Sequence, residues 1–153
     1  VVATAGSDRG RALCRDHGAH HVIDHHAPDA LAQIMAVTGG GGADIILEML
    51  SNVNLAHDTT LVAPRGRTIV IGCRGKIEIN PRELMLRDAD VRGLLLFNAH
   101  VDELTAIHAG LAEGFRAGWV RPVIAKTFPL AEAAAAHAAV LEAGAHGKIL
   151  LVP

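Results

Sequence analysis

The sequence predicts an α/β domain built on a doubly wound, mostly parallel sheet. Short apolar runs alternate with longer amphipathic stretches along the whole chain. The apolar runs lack the in-out alternation of half-exposed strands, as expected where helices cover both faces of a sheet. Right-handed crossovers between successive strands then place those helices on the two sides. With 153 residues, half of them hydrophobic, the chain is long and apolar enough for one domain with a core, and disorder is not expected. Three Phe, one Trp and no Tyr leave that core to Ala, Val, Ile and Leu.

Each element has its own local signal. Val1–Thr4 reads as a buried strand. Ser7 is placed to cap a helix running to about His17, which Gly18 stops. His21–Asp24 is the next strand. Ala27-Pro28 opens a second helix, with Pro at the first helical position and Leu31, Ile34, Met35 and Val37 on one face. Gly39–Gly42 end it. Ala43–Met49 reads as a fully buried strand, Asn52–Leu61 as a short helix, Ala63-Pro64-Arg65-Gly66 as a turn and Arg67–Ile71 as a strand. Lys76–Ile79 is a short extended piece, Pro81 to about Leu86 a short helix, and Val91–Phe97 a long apolar strand. Val101–Ala117 is helical, with Val101, Leu104, Ile107, Leu111 and Phe115 in one stripe. Val123–Thr127 is extended, Leu130–Glu142 is an Ala-rich helix and Lys148–Val152 is a last strand. There is no internal repeat and no interior domain boundary.

A net charge of −2 with scattered basic residues argues against nucleic acid as a partner. No apolar run reaches membrane-spanning length, and the first residues do not read as a signal peptide. Cys14 and Cys73 make no disulfide framework, so a reducing cytoplasm is the expected compartment. Cys14, His17, His20, His21, His25 and His26 are numerous enough to suggest zinc or nickel. Their positions on a helix, a buried strand and a loop point their side chains apart, and no metal site is expected.

Several blocks carry a resemblance. Ile45-Ile46-Leu47-Glu48-Met49-Leu50-Ser51-Asn52-Val53-Asn54-Leu55, Val70-Ile71-Gly72-Cys73-Arg74-Gly75, Ile77-Glu78-Ile79-Asn80-Pro81-Arg82 and His146-Gly147-Lys148-Ile149-Leu150-Leu151 occur in order. Together they resemble the zeta-crystallin-like quinone oxidoreductases of the medium-chain dehydrogenase/reductase superfamily, which is zinc-type alcohol dehydrogenase-like. The resemblance runs from Val1 to Pro153. It implies a Rossmann-type domain that is incomplete at its N-terminus, without the first strand and glycine-rich turn. It also implies an upstream GroES-like catalytic domain absent from this chain, so the native polypeptide is expected to be longer. In a sheet of order 3-2-1-4-5-6 the first strand is central. Without it, the flanking strands would stand roughly 10 Å apart, with unpaired edges to close or to pair with another chain.

The resemblance implies NADPH as cofactor. In NAD-preferring proteins a carboxylate at the end of the second strand holds the ribose 2′-hydroxyl. Here that end reads Thr4-Ala5-Gly6-Ser7, followed by Arg9 and Arg11, a pattern suited to a 2′-phosphate. Asp8 is the competing feature. His25, after the third strand, is expected near that phosphate, as is Lys148. Asn54 is expected on the nicotinamide-side ribose or its phosphate, with Asn52 as a helix cap. Ile71, Gly72, Cys73 and Arg74 are expected along the nicotinamide, where glycine lets backbone approach a flat ring. Leu94, Leu95 and Leu96 approach it from the next strand. Each has a plain alternative as a cap, turn, core strand or solvated face. Glu48 is read as a polar anchor or rim residue, and Cys73 as unreactive for want of a neighbouring base.

The implied reaction is hydride transfer from NADPH to a quinone or enone. Its chemistry belongs to the cofactor, while the protein orients the ring and stabilises developing charge. No catalytic residue can be named in this chain, whose isolated form is expected to be inactive. A homodimer through Val91–Phe97 is expected. The alternatives are an enoyl-thioester reductase or alcohol dehydrogenase of the same superfamily, or a non-catalytic nucleotide-binding or assembly remnant.

Overall fold

Strands and helices alternate as the apolar pattern requires, and every strand pair is parallel. The computed structural model describes residues 1–142, 144 and 146–153. In chain order the elements are β1 (Val2–Thr4), α1 (Asp8–Asp16), β2 (His21–Ile23), α2 (Ala30–Val37), β3 (Ala43–Glu48), α3 (Ser51–Leu61) and β4 (Val62–Val70). They continue with α4 (Pro81–Arg87), β5 (Asp90–Gly93), α5 (Val101–Ala117), β6 (Ile124–Pro129), α6 (Ala133–Leu141) and β7 (Lys148–Val152).

The hydrogen-bonded ladders are β1-β2, β3-β4-β5 and β6-β7. Written in the order of a 3-2-1-4-5-6 sheet, β2 and β1 form one wing and β3, β4 and β5 the other. Among the described residues no strand lies in the position between them, and no ladder joins β1 to β3. The break between the β1-β2 and β3-β4-β5 ladders falls where a sheet without its first strand is expected to part, and β6-β7 is a third, separate ladder. Periodicity marks a strand but does not say which edges meet.

Burial departs from expectation in the same region. Strand β3 alternates, with Ile45 and Leu47 exposed at 66% and 62% and Glu48 buried. Strand β1 is at most half-buried. The apolar stripe of α5 is open at Val101, Ile107, Leu111 and Phe115. The best-buried residues cluster where α3 turns into β4, at Thr59, Leu61, Val62, Ala63 and Thr68.

Three boundaries differ from the sequence reading. The second helix begins at Ala30 because Asp24 organises a turn first, accepting the His26 and Ala27 N–H groups on its side chain and carbonyl. Ala63-Pro64-Arg65-Gly66 lies inside β4 as an irregularity: Ala43 pairs with Val62, then Ile45 with Arg67. Arg65 there takes φ 62°, so the turn signals mark a bulge. The strand expected over Val91–Phe97 spans only Asp90–Gly93. Its partner β4 ends at Val70, opposite Gly93, and Leu96–Asn98 forms a 3₁₀ turn instead. Lys76–Ile79 joins no ladder.

The expected cap of α1 is present: the Gly10 N–H donates to Ser7 Oγ at 3.1 Å. Ser7→Ala should cost about 1 kcal/mol, read as a lowered urea midpoint with unchanged slope.

Candidate functional site

Parallel strands present all their carboxyl ends in one direction within a ladder, and backbone turns there are the usual ligand contacts of doubly wound folds. Two clusters of side chains occupy those ends.

The first lies beyond β3 and β4. Glu48, the last residue of β3, is buried, and its Oε1 accepts from the Leu50 N–H and from Asn54 Nδ2, the latter at 3.2 Å. Gly72 is fastened to the same strand end. Its N–H donates to the Glu48 carbonyl at 3.2 Å, and its own carbonyl accepts the Ser51 N–H at 3.0 Å and Ser51 Oγ–H at 2.9 Å. A Cβ at Gly72 would stand 2.1 Å from the Met49 carbonyl oxygen, so only glycine fits this crossing. Asn52 does not cap the helix; its Oδ1 accepts the Arg74 N–H at 2.8 Å and ties the two loops together. Cys73 is exposed, and the Ser51 hydroxyl beside it is the main cause lowering its thiol below the ordinary value. Ser51 lies 22 residues before Cys73, so no local pattern marks it as a neighbour. The Leu94 N–H donates to the Val70 carbonyl at 2.9 Å, which brings exposed Leu94, Leu95 and Leu96 to the β5 side of this cluster.

The second cluster lies beyond β1 and β2. A Cβ at Gly6 would stand 2.5–2.7 Å from ring atoms of His26 and His25, so glycine is what lets the two imidazoles cover this turn. Those rings meet edge to face, with centroids 4.4 Å apart. Arg11 donates to Asp24 at 2.7 Å and also pairs with Asp8. The His26 N–H, with help from Arg11 and the two imidazoles, holds the Asp24 carboxyl below its usual range.

Arg9 and Lys148 are not in either cluster. Positions 9 and 11 lie about 200° apart around a helix, so Arg9 faces away from Arg11. It lines a cavity with Lys126, Glu142, His146 and Ile149. Lys148 begins β7 and is exposed, its N–H donating to the Val123 carbonyl at 2.7 Å. Among the described residues no three His, Cys, Asp or Glu side chains converge as metal ligands, and no helix is long and apolar enough to cross a membrane.

Sequence reading missed Asp58. It is buried in α3 and faces Glu48; burial, with the Glu48 charge added, raises its carboxyl to about 7. The signal was available: Ser51, Asn54, Asp58 and Leu61 recur at helical spacing on the inward face.

A family model described as zinc-binding dehydrogenase matches residues 17–151. The chain is 39% identical to a quinone oxidoreductase of Sus scrofa and 40% to one of Rattus norvegicus, each over 99% of this chain and 46% of the relative. It thus spans about half the length of these curated relatives. A crystal structure of a 2-haloacrylate reductase superposes with a TM-score of 0.86 at 26% identity, covering 100% of this chain and 49% of that one. An NAD-dependent alcohol dehydrogenase reaches 0.87 at 22% identity, covering 100% and 44%, a likeness of fold. The parallel α/β wings are therefore those of a Rossmann-type cofactor domain, and the chain belongs to the zinc-binding dehydrogenase family.

Proposed function

We propose that this chain is the cofactor-binding part of an NADPH-dependent oxidoreductase that reduces quinones or related conjugated carbonyls, the substrate pocket being completed by a GroES-like catalytic domain. The supporting observation is the joint beyond β3 and β4, where Gly72 presses on Met49 and Asn54 is held by Glu48. The residues fit a dinucleotide in two ways. Glycine at 6 and 72 lets each turn pack tightly at its strand end, against His25 and His26 or against Met49, and a dinucleotide would lie across these turns. Exposed Leu94–Leu96 offers an apolar wall for a nicotinamide ring, with Ile71, Cys73 and Arg74 beside it. When bound, the cofactor would supply the hydride; these residues would orient it and exclude water.

The preference for NADPH rests on the β1–β2 cluster. No carboxylate follows β1 directly, and Asp24 and Asp8 are both engaged by Arg11. Neither is free to hold a ribose diol. Ser7, His25 and Arg11 border the place a 2′-phosphate would take. Arg9 and Lys148 lie outside this cluster and are proposed only as more distant positive charge, Arg9 lining a cavity with Ile149, the neighbour of Lys148. Strand β5 has a described neighbour on one side only, and its open edge is proposed to pair with a second copy of the chain.

Titrating the chain with NADPH and following nicotinamide fluorescence tests this reading. Saturable binding without quinone turnover is expected, with NADH weaker by about tenfold or more from the lost charge-assisted contacts. Equal affinity for the two would sink the phosphate preference. Absence of binding to either would sink the dinucleotide assignment.

A further inference from the structure

We propose that Glu48 and Asp58 share a single proton and together act as positioning residues for Asn54, fixing its amide so that its oxygen is left free to accept from a ligand donor such as a sugar hydroxyl. The ligand's identity rests on the function proposed above; the pair itself rests on the arrangement of α3 against β3.

Both carboxyl groups are buried, with Glu48 6% and Asp58 5% exposed. Asp58 Oδ2 is enclosed and receives no hydrogen bond. A buried carboxylate oxygen without a donor is a costly state. It is relieved if that oxygen carries the proton and donates it to the neighbouring carboxylate. Glu48 is suited to be the ionised member. It accepts the Leu50 N–H at the start of α3, where backbone N–H groups favour negative charge, and it accepts Asn54 Nδ2. An ionised carboxylate is an acceptor only, so the Asn54 side chain must turn its NH₂ group to Glu48. The amide oxygen, which makes no hydrogen bond among the described residues, is then the atom left to a ligand.

Among the described residues, the elements packed on α3 supply no counter-charge. Elements α2, β3, β4 and α4 pack on α3. Helix α2 carries no titratable side chain. On β3, Asp44 is exposed at the far end from Glu48. On β4, Arg65 is exposed and Arg67 pairs with Asp90. On α4, Arg82 is exposed, and Arg87 donates to Glu83 and to the Thr60 carbonyl. His57, next to Asp58 on α3, is exposed, and Cys73 beyond the helix start is met by Ser51. Asp58 thus has Glu48 as its charged neighbour, and burial together with that neighbour raises the Asp58 carboxyl to about 7.

The test uses the whole chain, free of cofactor, and its Asp58→Asn and Glu48→Gln variants. Infrared spectra should show a protonated-carboxyl C=O band in the wild type on the acid side of neutrality, lost on raising the pH through about 7 and absent from Asp58→Asn. The Asn54 side-chain amide resonances, read by nitrogen-correlated NMR, should move with the same titration in the wild type. They should stay still in Asp58→Asn, whose amide donates to Glu48 at every pH. Loss of the Glu48 carboxylate in Glu48→Gln should shift those resonances even where Asp58→Asn leaves them. A missing band, or Asn54 resonances blind to the titration, would overturn the proposal. NADPH titrations add a second arm: the apparent Kd should rise up to about tenfold between about pH 6 and 8 in the wild type and stay level in Asp58→Asn. A level wild-type profile with measurable binding also overturns the positioning role. Failure to bind NADPH at any pH would instead strike the dinucleotide assignment, and the cofactor-free readings would still decide the pair.

Discussion

Gly72→Ala is expected to destabilise the fold by about 3 kcal/mol or more and to abolish the proposed dinucleotide binding. The added methyl would stand 2.1 Å from the Met49 carbonyl oxygen and 2.9 Å from its carbon. Backbone, unlike a flexible side chain, cannot swing aside. The strand ends would have to separate, and three hydrogen bonds centred on Gly72, to Glu48 and Ser51, depend on their closeness. The same separation would pull Asn52 from the Arg74 N–H and release the loop carrying Cys73. Gly75→Ala is the control in the same loop. Its methyl would meet nothing nearer than Asn52 Cβ at 3.8 Å, so a change within about 0.5 kcal/mol is expected. Urea unfolding of the two variants checks the contrast. Equal midpoints would mean that the joint between β3 and β4 is not clamped at Gly72.

That joint was partly legible in the sequence. Gly72 and Asn54 follow apolar runs at strand ends, where ligand turns belong, and the Ser7 cap, α5 and β7 fell where periodicity and capping place them. Such signals are local, carried by a few neighbouring residues. The failures share a different character: each depends on a partner distant in the chain. Pro64 and Gly66 signal a turn but sit in a bulge, because β4 must step past Ala43 to regain register at Ile45. The run after Gly93 is as apolar as a strand, yet the ladder stops where Val70 ends its partner. Strand β3 is less buried than its apolar run implies because one of its faces, through Ile45 and Leu47, has no covering helix among the described elements. Arg9 and Arg11 are the exception, since they are two residues apart and local helical geometry alone separates them by about 200°.

Asp58 should make stability fall as pH rises, the reverse of the usual carboxylate contribution. An acid whose folded value is raised keeps its proton in the native state at pH values where the unfolded chain has lost it. For Asp58 that window runs from the ordinary value of 3.8 to about 7. Within it folding takes up a proton, so stability declines with each step in pH. Below it both states are protonated and the contribution is whole; above it both are ionised and the contribution is gone. The total change is on the order of a few kcal/mol across that window. Other groups titrate as well, so the measurable quantity is the difference between the wild type and Asp58→Asn. That difference should favour the variant progressively from about pH 4 upward and level off above about pH 7. The asparagine can donate to Glu48 as the protonated acid does, which keeps the Leu50 and Asn54 contacts of Glu48 in place. Chemical denaturation at a series of pH values provides the curve. A constant difference would show that Asp58 is ionised in the native state, and the source of charge compensation would then have to lie elsewhere on α3.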